Sequence, residues 1–232
     1  MALRAVLFDA VGTLFELREP VGVCYSRAAA ARGVTLSGAR LEDAFARYLR
    51  AADPAPGAPG GPEALPENER AWWRGVVRGT FRSADATLRF PDFEALFADL
   101  WDHFGKPAAW RLREGVAAGL DSLASADLGI AIVSNFDHRL PALLEGLGLL
   151  AKLECVVLPS SCGARKPDPL PFRAALDALE VPAADCVYVG NDPALDLDAA
   201  RATGIAAVDV EALDFGPELG ATIQAAATLA VR

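Results

Sequence analysis

Near the start of the chain, Ala5-Val6-Leu7-Phe8 runs straight into Asp9 and is followed by Ala10-Val11-Gly12-Thr13-Leu14-Phe15. Four consecutive apolar residues read as a parallel strand buried on both faces, and the Gly-Thr turn behind the carboxylate puts Asp9 at the strand's C-terminal end. Ligands of open α/β sheets bind at that edge, so Asp9 is the candidate nucleophile. A second residue stands out by its type. The chain has 22 lysines and arginines, of which only Lys106, Lys152 and Lys166 are lysines, so arginine serves its generic positive positions. Lys166, between Arg165 and the turn Pro167-Asp168-Pro169, therefore reads as a choice for a compact ammonium whose direction the turn fixes. A carboxylate that stays ionised while buried needs a cation or metal beside it, so Asp9 and Lys166 are expected to be neighbours.

The elements that position these residues follow from pattern. From Leu112 onward helix and strand alternate, which predicts βαβ units and a parallel sheet. Helices are expected over Glu114–Ser125, Leu140–Leu147, Pro169–Leu179, Leu195–Thr203 and Pro217–Leu229, and strands over Leu128–Ser134, Leu153–Leu158, Cys186–Val189 and Ile205–Val210, with Gly204 as a helix C-cap. Three of these strands end in polar residues: Ser134-Asn135, Pro159-Ser160-Ser161 and Gly190-Asn191-Asp192. With Asp9 they line one sheet edge with hydroxyl, amide and carboxylate groups. Between about Pro20 and Trp110 the pattern is helical, with stretches opening at Val21, over Leu41–Leu49, over Glu67–Phe81 and over Asp92–Phe104. The Pro/Gly-rich run from Asp53 to Pro66 is expected as a loop. The aromatic stripe of these helices, Phe93, Phe97 and Trp101 among them, reads as core. An insert placed directly after the nucleophile strand would make a natural lid.

Composition narrows the partners. Hydrophobic residues make up 53% of the 232 and charged residues 23%, as in a globular protein. The net charge of −9 opposes phosphate backbones and anionic lipid, excluding nucleic acid and membrane surfaces as expected partners. No apolar run is long enough to span a bilayer. Met1-Ala2-Leu3-Arg4 leads directly into the first strand, so a cytoplasmic location is expected. Cys24, Cys155, Cys162 and Cys186 have neither zinc-site spacing nor disulfide-scaffold density and read as reduced packing residues, with Cys162 in a loop. His103 and His138 read as helix-surface residues. The sequence carries no signal for an oligomeric state.

Phe8-Asp9-Ala10-Val11-Gly12-Thr13-Leu14, Val133-Ser134-Asn135, Lys166-Pro167-Asp168-Pro169, and Val189-Gly190-Asn191-Asp192 with Asp196 resemble, in order and spacing, the four motifs of the haloacid dehalogenase (HAD) superfamily. The helical insert resembles the type-one cap of subfamily IA. Arg18-Glu19-Pro20-Val21-Gly22 and Trp72-Trp73 with Phe81 resemble the branch grouped with rhythmically expressed gene 2. The resemblance implies an α/β fold, a HAD-like doubly wound parallel sheet (Rossmannoid) core formed by residues 1–15 and 112–232, with a helical cap domain over 16–111. It implies a hydrolase in which Asp9 attacks phosphorus or carbon to give a covalent ester that water then cleaves. Thr13, Ser134 and Asn135 would hydrogen-bond the transferred group, and Lys166 would neutralise charge and keep Asp9 ionised. Mg2+ would sit between Asp9, the main-chain carbonyl of Val11 and the Asn191-Asp192 corner, with Asp196 supporting that corner. Asp192 and Asp196 also suit a helix N-terminus, where carboxylates are favoured.

Two positions depart from the family's phosphatases. Val11 stands where they carry the aspartate that protonates the leaving group, and Asn191 stands where they carry the first motif-four aspartate. Three readings follow from the resemblance: a magnesium-dependent phosphohydrolase of a small phosphorylated metabolite, a metal-free 2-haloacid dehalogenase, whose halide leaves without a proton, and a non-catalytic binding protein on the same fold.

Overall fold

The computed structural model describes residues 3–52 and 64–230, so most of the Pro/Gly-rich run lies outside the described residues. The chain forms two compact units: Met1–Glu16 with Arg111–Arg232, and Leu17–Trp110.

The first unit is built on a five-stranded sheet. Its strands are β1 (Ala5–Phe8), β4 (Gly129–Val133), β5 (Cys155–Val157), β6 (Cys186–Gly190) and β7 (Ala206–Asp209), in the spatial order β5-β4-β1-β6-β7. All neighbours are parallel, and β1 is central, with Phe8 opposite Ile132 on one side and Val189 on the other. The chain builds outward from β1 to β5 and then returns to the other side, so the order reverses beside β1 and a ligand crevice is expected at its C-terminal end. Strand β1 is wholly buried, as its unbroken apolar run requires. Side chains alternate across a sheet. Ala5 and Leu7 therefore share a face with Ala131, Val133 and Tyr188, packed against Phe172 and Ala175 of α8 (Leu170–Leu179). Asp9 continues that parity.

The other helices of this unit are α5 (Val116–Ser125), α6 (Leu140–Gly146), α7 (Pro159–Cys162), α9 (Ala199–Ala202) and α10 (Leu219–Ala230). Two differ from the sequence pattern. The stretch expected as one helix from Leu195 is a π-helix over Pro193–Asp198 followed by α9, because the Asp192 carbonyl accepts both from Asp196 N at 3.0 Å and from Leu197 N at 3.1 Å. Such wide turns concentrate at functional sites. Cys162 closes the short helix α7 where a loop is expected, its thiol donating toward the Leu158 carbonyl.

The second unit packs α1 (Val21–Ala30), α2 (Gly38–Ala51), α3 (Leu65–Ala84) and α4 (Phe93–Phe104) around Tyr25, Leu41, Phe81, Leu96, Phe97 and Leu100. Helix α3 starts earlier than its pattern suggests, with Pro66 in the first turn, where a missing N–H costs nothing. Asp92 caps α4 by accepting from Ala95 N at 2.9 Å. Gly22 lets α1 approach α2, since a Cβ there would lie 2.1 Å from the Gly38 carbonyl oxygen. His103 lies in the last turn of α4, half-buried, with its Nε2 3.4 Å from the Cys24 thiol. A short two-stranded ribbon, β2 (Phe15–Leu17) with β3 (Trp110–Leu112), contains both points at which the chain passes between the units. Among the described residues no helix is long and apolar enough to cross a membrane, and all four cysteines are free thiols.

Candidate active site

The loop after β1 is tied to itself. The Ala10 carbonyl accepts from the backbone N–H groups of Thr13, Leu14 and Phe15, and Gly12 N donates to the Phe15 carbonyl at 2.8 Å. Gly12 sits at φ +85°, a conformation that favours glycine, and a Cβ on it would lie 2.7 Å from Asn191 Nδ2. The absent side chain is therefore what lets the end of β6 reach the loop. Arg113 holds the loop from outside, donating to the Gly12 carbonyl at 3.0 Å while pairing with Glu211 at 2.8 Å.

Asp9 leaves β1 with its N–H on the Val189 carbonyl at 2.9 Å. Its carboxylate meets Lys166 although 157 positions separate them: Lys166 Nζ donates to Asp9 Oδ1 at 2.7 Å. The same ammonium donates to Asp196 Oδ1 at 2.5 Å and to the Tyr188 hydroxyl at 2.8 Å. Side-chain exposure is 12% for Asp9 against 3% for Lys166 and 2% for Asp196, so the carboxylate is the open end of a buried network. Burial pushes the Asp9 carboxyl above the usual carboxylate range, the Lys166 ammonium opposes that, and the Asp196 charge adds to it.

Asn135 meets the Lys166 peptide with both ends of its amide. Its Nδ2 donates to the Lys166 carbonyl at 2.9 Å and its Oδ1 accepts from Lys166 N at 2.8 Å. The end of β4 thereby places the lysine. Ser134 is buried beside it, with Oγ accepting from Phe136 N at 3.3 Å. Thr13 is buried and donates to Asn191 Oδ1 at 3.4 Å. Val11, half-buried, bridges to Phe15.

The two carboxylates after β6 do different things. Asp192 Oδ1 caps the π-helix, accepting from Ala194 N at 2.9 Å and Leu195 N at 2.8 Å. Asp196 turns inward: Oδ2 accepts from Asn191 N at 3.1 Å and Asp192 N at 3.0 Å, while Oδ1 takes Lys166 and Tyr188. It passes over Gly190, where a Cβ would lie 2.6 Å from its own Cβ.

Two side chains escape a reading by motif. Tyr188 is the one aromatic in the apolar run Cys186-Val187-Tyr188-Val189; its parity with Leu7 on the sheet is the signal that aims it at Lys166. Asp137 is buried and accepts from Arg139 through both carboxylate oxygens, at 2.8 and 2.7 Å, in the turn ahead of α6 that also holds His138.

Asp9 offers a carboxylate, Val11 a main-chain carbonyl and Asn191 an amide oxygen whose side chain lies on Gly12, an all-oxygen set of the kind Mg2+ takes. Asp192 and Asp196 carry contacts that hold the corner.

A central parallel sheet whose strand order reverses beside Asp9, backed by a buried lysine and a second aspartate, places a cluster of ionisable groups at the sheet edge where ligands of such folds bind. Residues 3–204 match the family model for haloacid dehalogenase-like hydrolases, and the chain belongs to that family. It is 35% identical over 211 residues to the mouse haloacid dehalogenase-like hydrolase domain-containing protein 3, covering 88% of this chain and 80% of the relative. It is 25% identical over 210 residues to the Drosophila melanogaster rhythmically expressed gene 2 protein, with 87% and 80% covered. A plasmid phosphoglycolate phosphatase of Cupriavidus necator is 39% identical over 122 residues, 52% of this chain and 50% of the relative. The solved L-2-haloacid dehalogenase of Xanthobacter autotrophicus shares the fold, with TM-score 0.66 and 22% identity over 91% of this chain and 79% of that one.

Proposed function

We propose that this hydrolase is a magnesium-dependent phosphohydrolase of small phosphorylated metabolites with acidic leaving groups. The observation that carries the reading is the Asp9–Lys166 pair, with the carboxylate at the open end and the ammonium buried behind it. Lys166 holds Oδ1, and Oδ2 attacks phosphorus, giving an aspartyl phosphate and the free leaving group; water then cleaves the acyl phosphate and returns Asp9. Thr13 and Ser134 supply hydroxyls, and Asn135 an amide, for the transferred group and for the loop that carries Lys166. Asp9, the Val11 carbonyl and the Asn191-Asp192 corner would hold the ion, with Asp196 keeping the corner in place, and magnesium, when bound, would supply positive charge against the incoming phosphate. Burial alone disfavours the ionised nucleophile, and Lys166 counters it. The similarity to a phosphoglycolate phosphatase over half the chain supports phosphate-ester chemistry.

Val11 shapes the substrate class. Its side chain has no proton to give, so a leaving group that departs as a stable anion is favoured, an acyl or aryl phosphate before an alkyl one. The same residue favours a second reading, dehalogenation of 2-haloacids, in which halide departs unprotonated. We assign the inserted unit Leu17–Trp110 the part of a cap, on its place in the chain alone. A cytoplasmic location is proposed with it. The test is a screen of acyl, aryl and alkyl phosphates and of 2-haloacids, with magnesium and with chelator. Magnesium-dependent phosphate release supports the reading, chelator-resistant halide release replaces it with the second, and inactivity on both panels leaves a binding protein.

A further inference from the structure

We propose that Tyr188 is a positioning residue, whose hydroxyl takes the third proton of the Lys166 ammonium and so fixes Nζ between Asp9 and Asp196. An ammonium has three N–H donors and no acceptor. The acceptors around Nζ are Asp196 Oδ1 at 2.5 Å, Asp9 Oδ1 at 2.7 Å and the Tyr188 hydroxyl at 2.8 Å, so each donor has one partner. The tyrosine is itself fixed. Its hydroxyl proton is directed to Asp196 Oδ1 at 3.0 Å, with the Val133 carbonyl at 3.2 Å, and its ring packs edge-on against Phe172 at 5.1 Å.

The chemistry of the acceptor matters. Tyr188 is fully buried, and burial raises its pKa well above the ordinary phenol value, so it remains a neutral hydroxyl. A third carboxylate would add a charge and draw the ammonium from Asp9. An apolar residue would leave one buried N–H without a partner, and Nζ would lean toward Asp196, the deeper of the two carboxylates. A neutral hydroxyl completes the shell and leaves the balance between the aspartates unchanged. Lys166 thus acts through Asp9 and has no donor left for substrate.

The inference rests on the phosphohydrolase reading for its kinetic consequence, and its test has a part that does not. The chain's three lysines make the Lys166 ammonium assignable by 15N NMR, using Lys166→Met as the blank. In Tyr188→Phe that resonance is expected to shift and its exchange with water to quicken at least ~10-fold, while kcat falls about 10- to 100-fold with KM within ~3-fold, the size expected for one hydrogen bond to a charged group. Two unnatural residues at 188, 4-aminophenylalanine and 4-methylphenylalanine, fill the same volume with and without a hydrogen-bonding atom. The amino variant is expected to keep the parent resonance and the methyl variant to lose it, a comparison that stands even if Tyr188→Phe does not fold. An unshifted Lys166 resonance in the phenylalanine or methyl variant overturns the proposal, as does a kcat within ~2-fold of the parent's. Wild-type inactivity on every phosphate would refute the phosphohydrolase reading alone, and the ammonium resonance would still decide the role of Tyr188.

Discussion

Replacing Lys166 by methionine removes the charge and keeps most of the side chain's volume. The lysine is 3% exposed and lies within 2.7 Å of two carboxylates, of which Asp196 is buried and Asp9 nearly so. Deleting one member of a buried ionic group typically costs about 3–5 kcal/mol, because the partners keep their burial and lose their counter-charge. For a chain of this length that corresponds to about 6–20 °C in Tm. The loss depends on pH with a definite sign. Burial already raises the Asp9 carboxyl, and Lys166 is the largest influence holding it down; without the lysine it rises further. A carboxyl raised in the folded state binds its proton more tightly there than in the unfolded chain, so its favourable contribution is present at acid pH and is lost as pH rises through the folded value. The deficit of Lys166→Met is therefore expected to be widest at pH 7.5 and to narrow toward pH 5. Urea unfolding of both proteins in chelator, at several pH values, measures it. A deficit under ~1 kcal/mol at pH 7.5, the size of an exposed pair, or one that widens toward acid, would refute the assignment of a buried, counter-charged network.

Three further outcomes are expected. Val11→Asp places a carboxyl two residues beyond Asp9; because a positioned general acid contributes ~100- to ~10,000-fold, even poor orientation should raise alkyl phosphate hydrolysis at least ~10-fold and aryl phosphate hydrolysis much less, and a folded variant with no selective gain counts against the missing-acid explanation. Asn191→Asp adds a charge to a weakly charged oxygen set, so magnesium binding followed by calorimetry should tighten by roughly 10-fold, about 1.4 kcal/mol; unchanged affinity would remove Asn191 from the site. Burial pushes the Cys186 thiol up to about 11, so native protein treated with iodoacetamide at pH 8 should leave it unmodified by mass spectrometry, whereas rapid labelling would show that β6 opens.

The fold is legible where one residue type repeats at one period. The run Ala5–Phe8 marks the central strand, and the alternation from Leu112 onward marks the sheet and its covering helices, since both follow from burial along a single element. The ribbon Phe15–Leu17 with Trp110–Leu112 has three residues a side, too few to show a period. The candidate site divides in the same way. Asp9 and Lys166 stand out by type and neighbours. Asp192 is legible too, because its cap on Ala194 N and Leu195 N is local, whereas the hold of Asn135 on the Lys166 peptide and the aim of the Tyr188 hydroxyl depend on which residues the fold brings together from strands and loops far apart in the chain.

The central place of β1 also sets a timetable for synthesis. Its first neighbour, β4, begins only at Gly129, and its second, β6, at Cys186. The whole helical unit is translated in between. At ~5–20 residues per second the apolar strand waits roughly 6–24 s for its first partner, with both edges open. The helical unit, with a core of its own, can fold during the wait. Asp9 is thus made well before Lys166 and Asp196 and is enclosed only once they follow, so a truncated chain that ends before Lys166 carries Asp9 without its counter-charge.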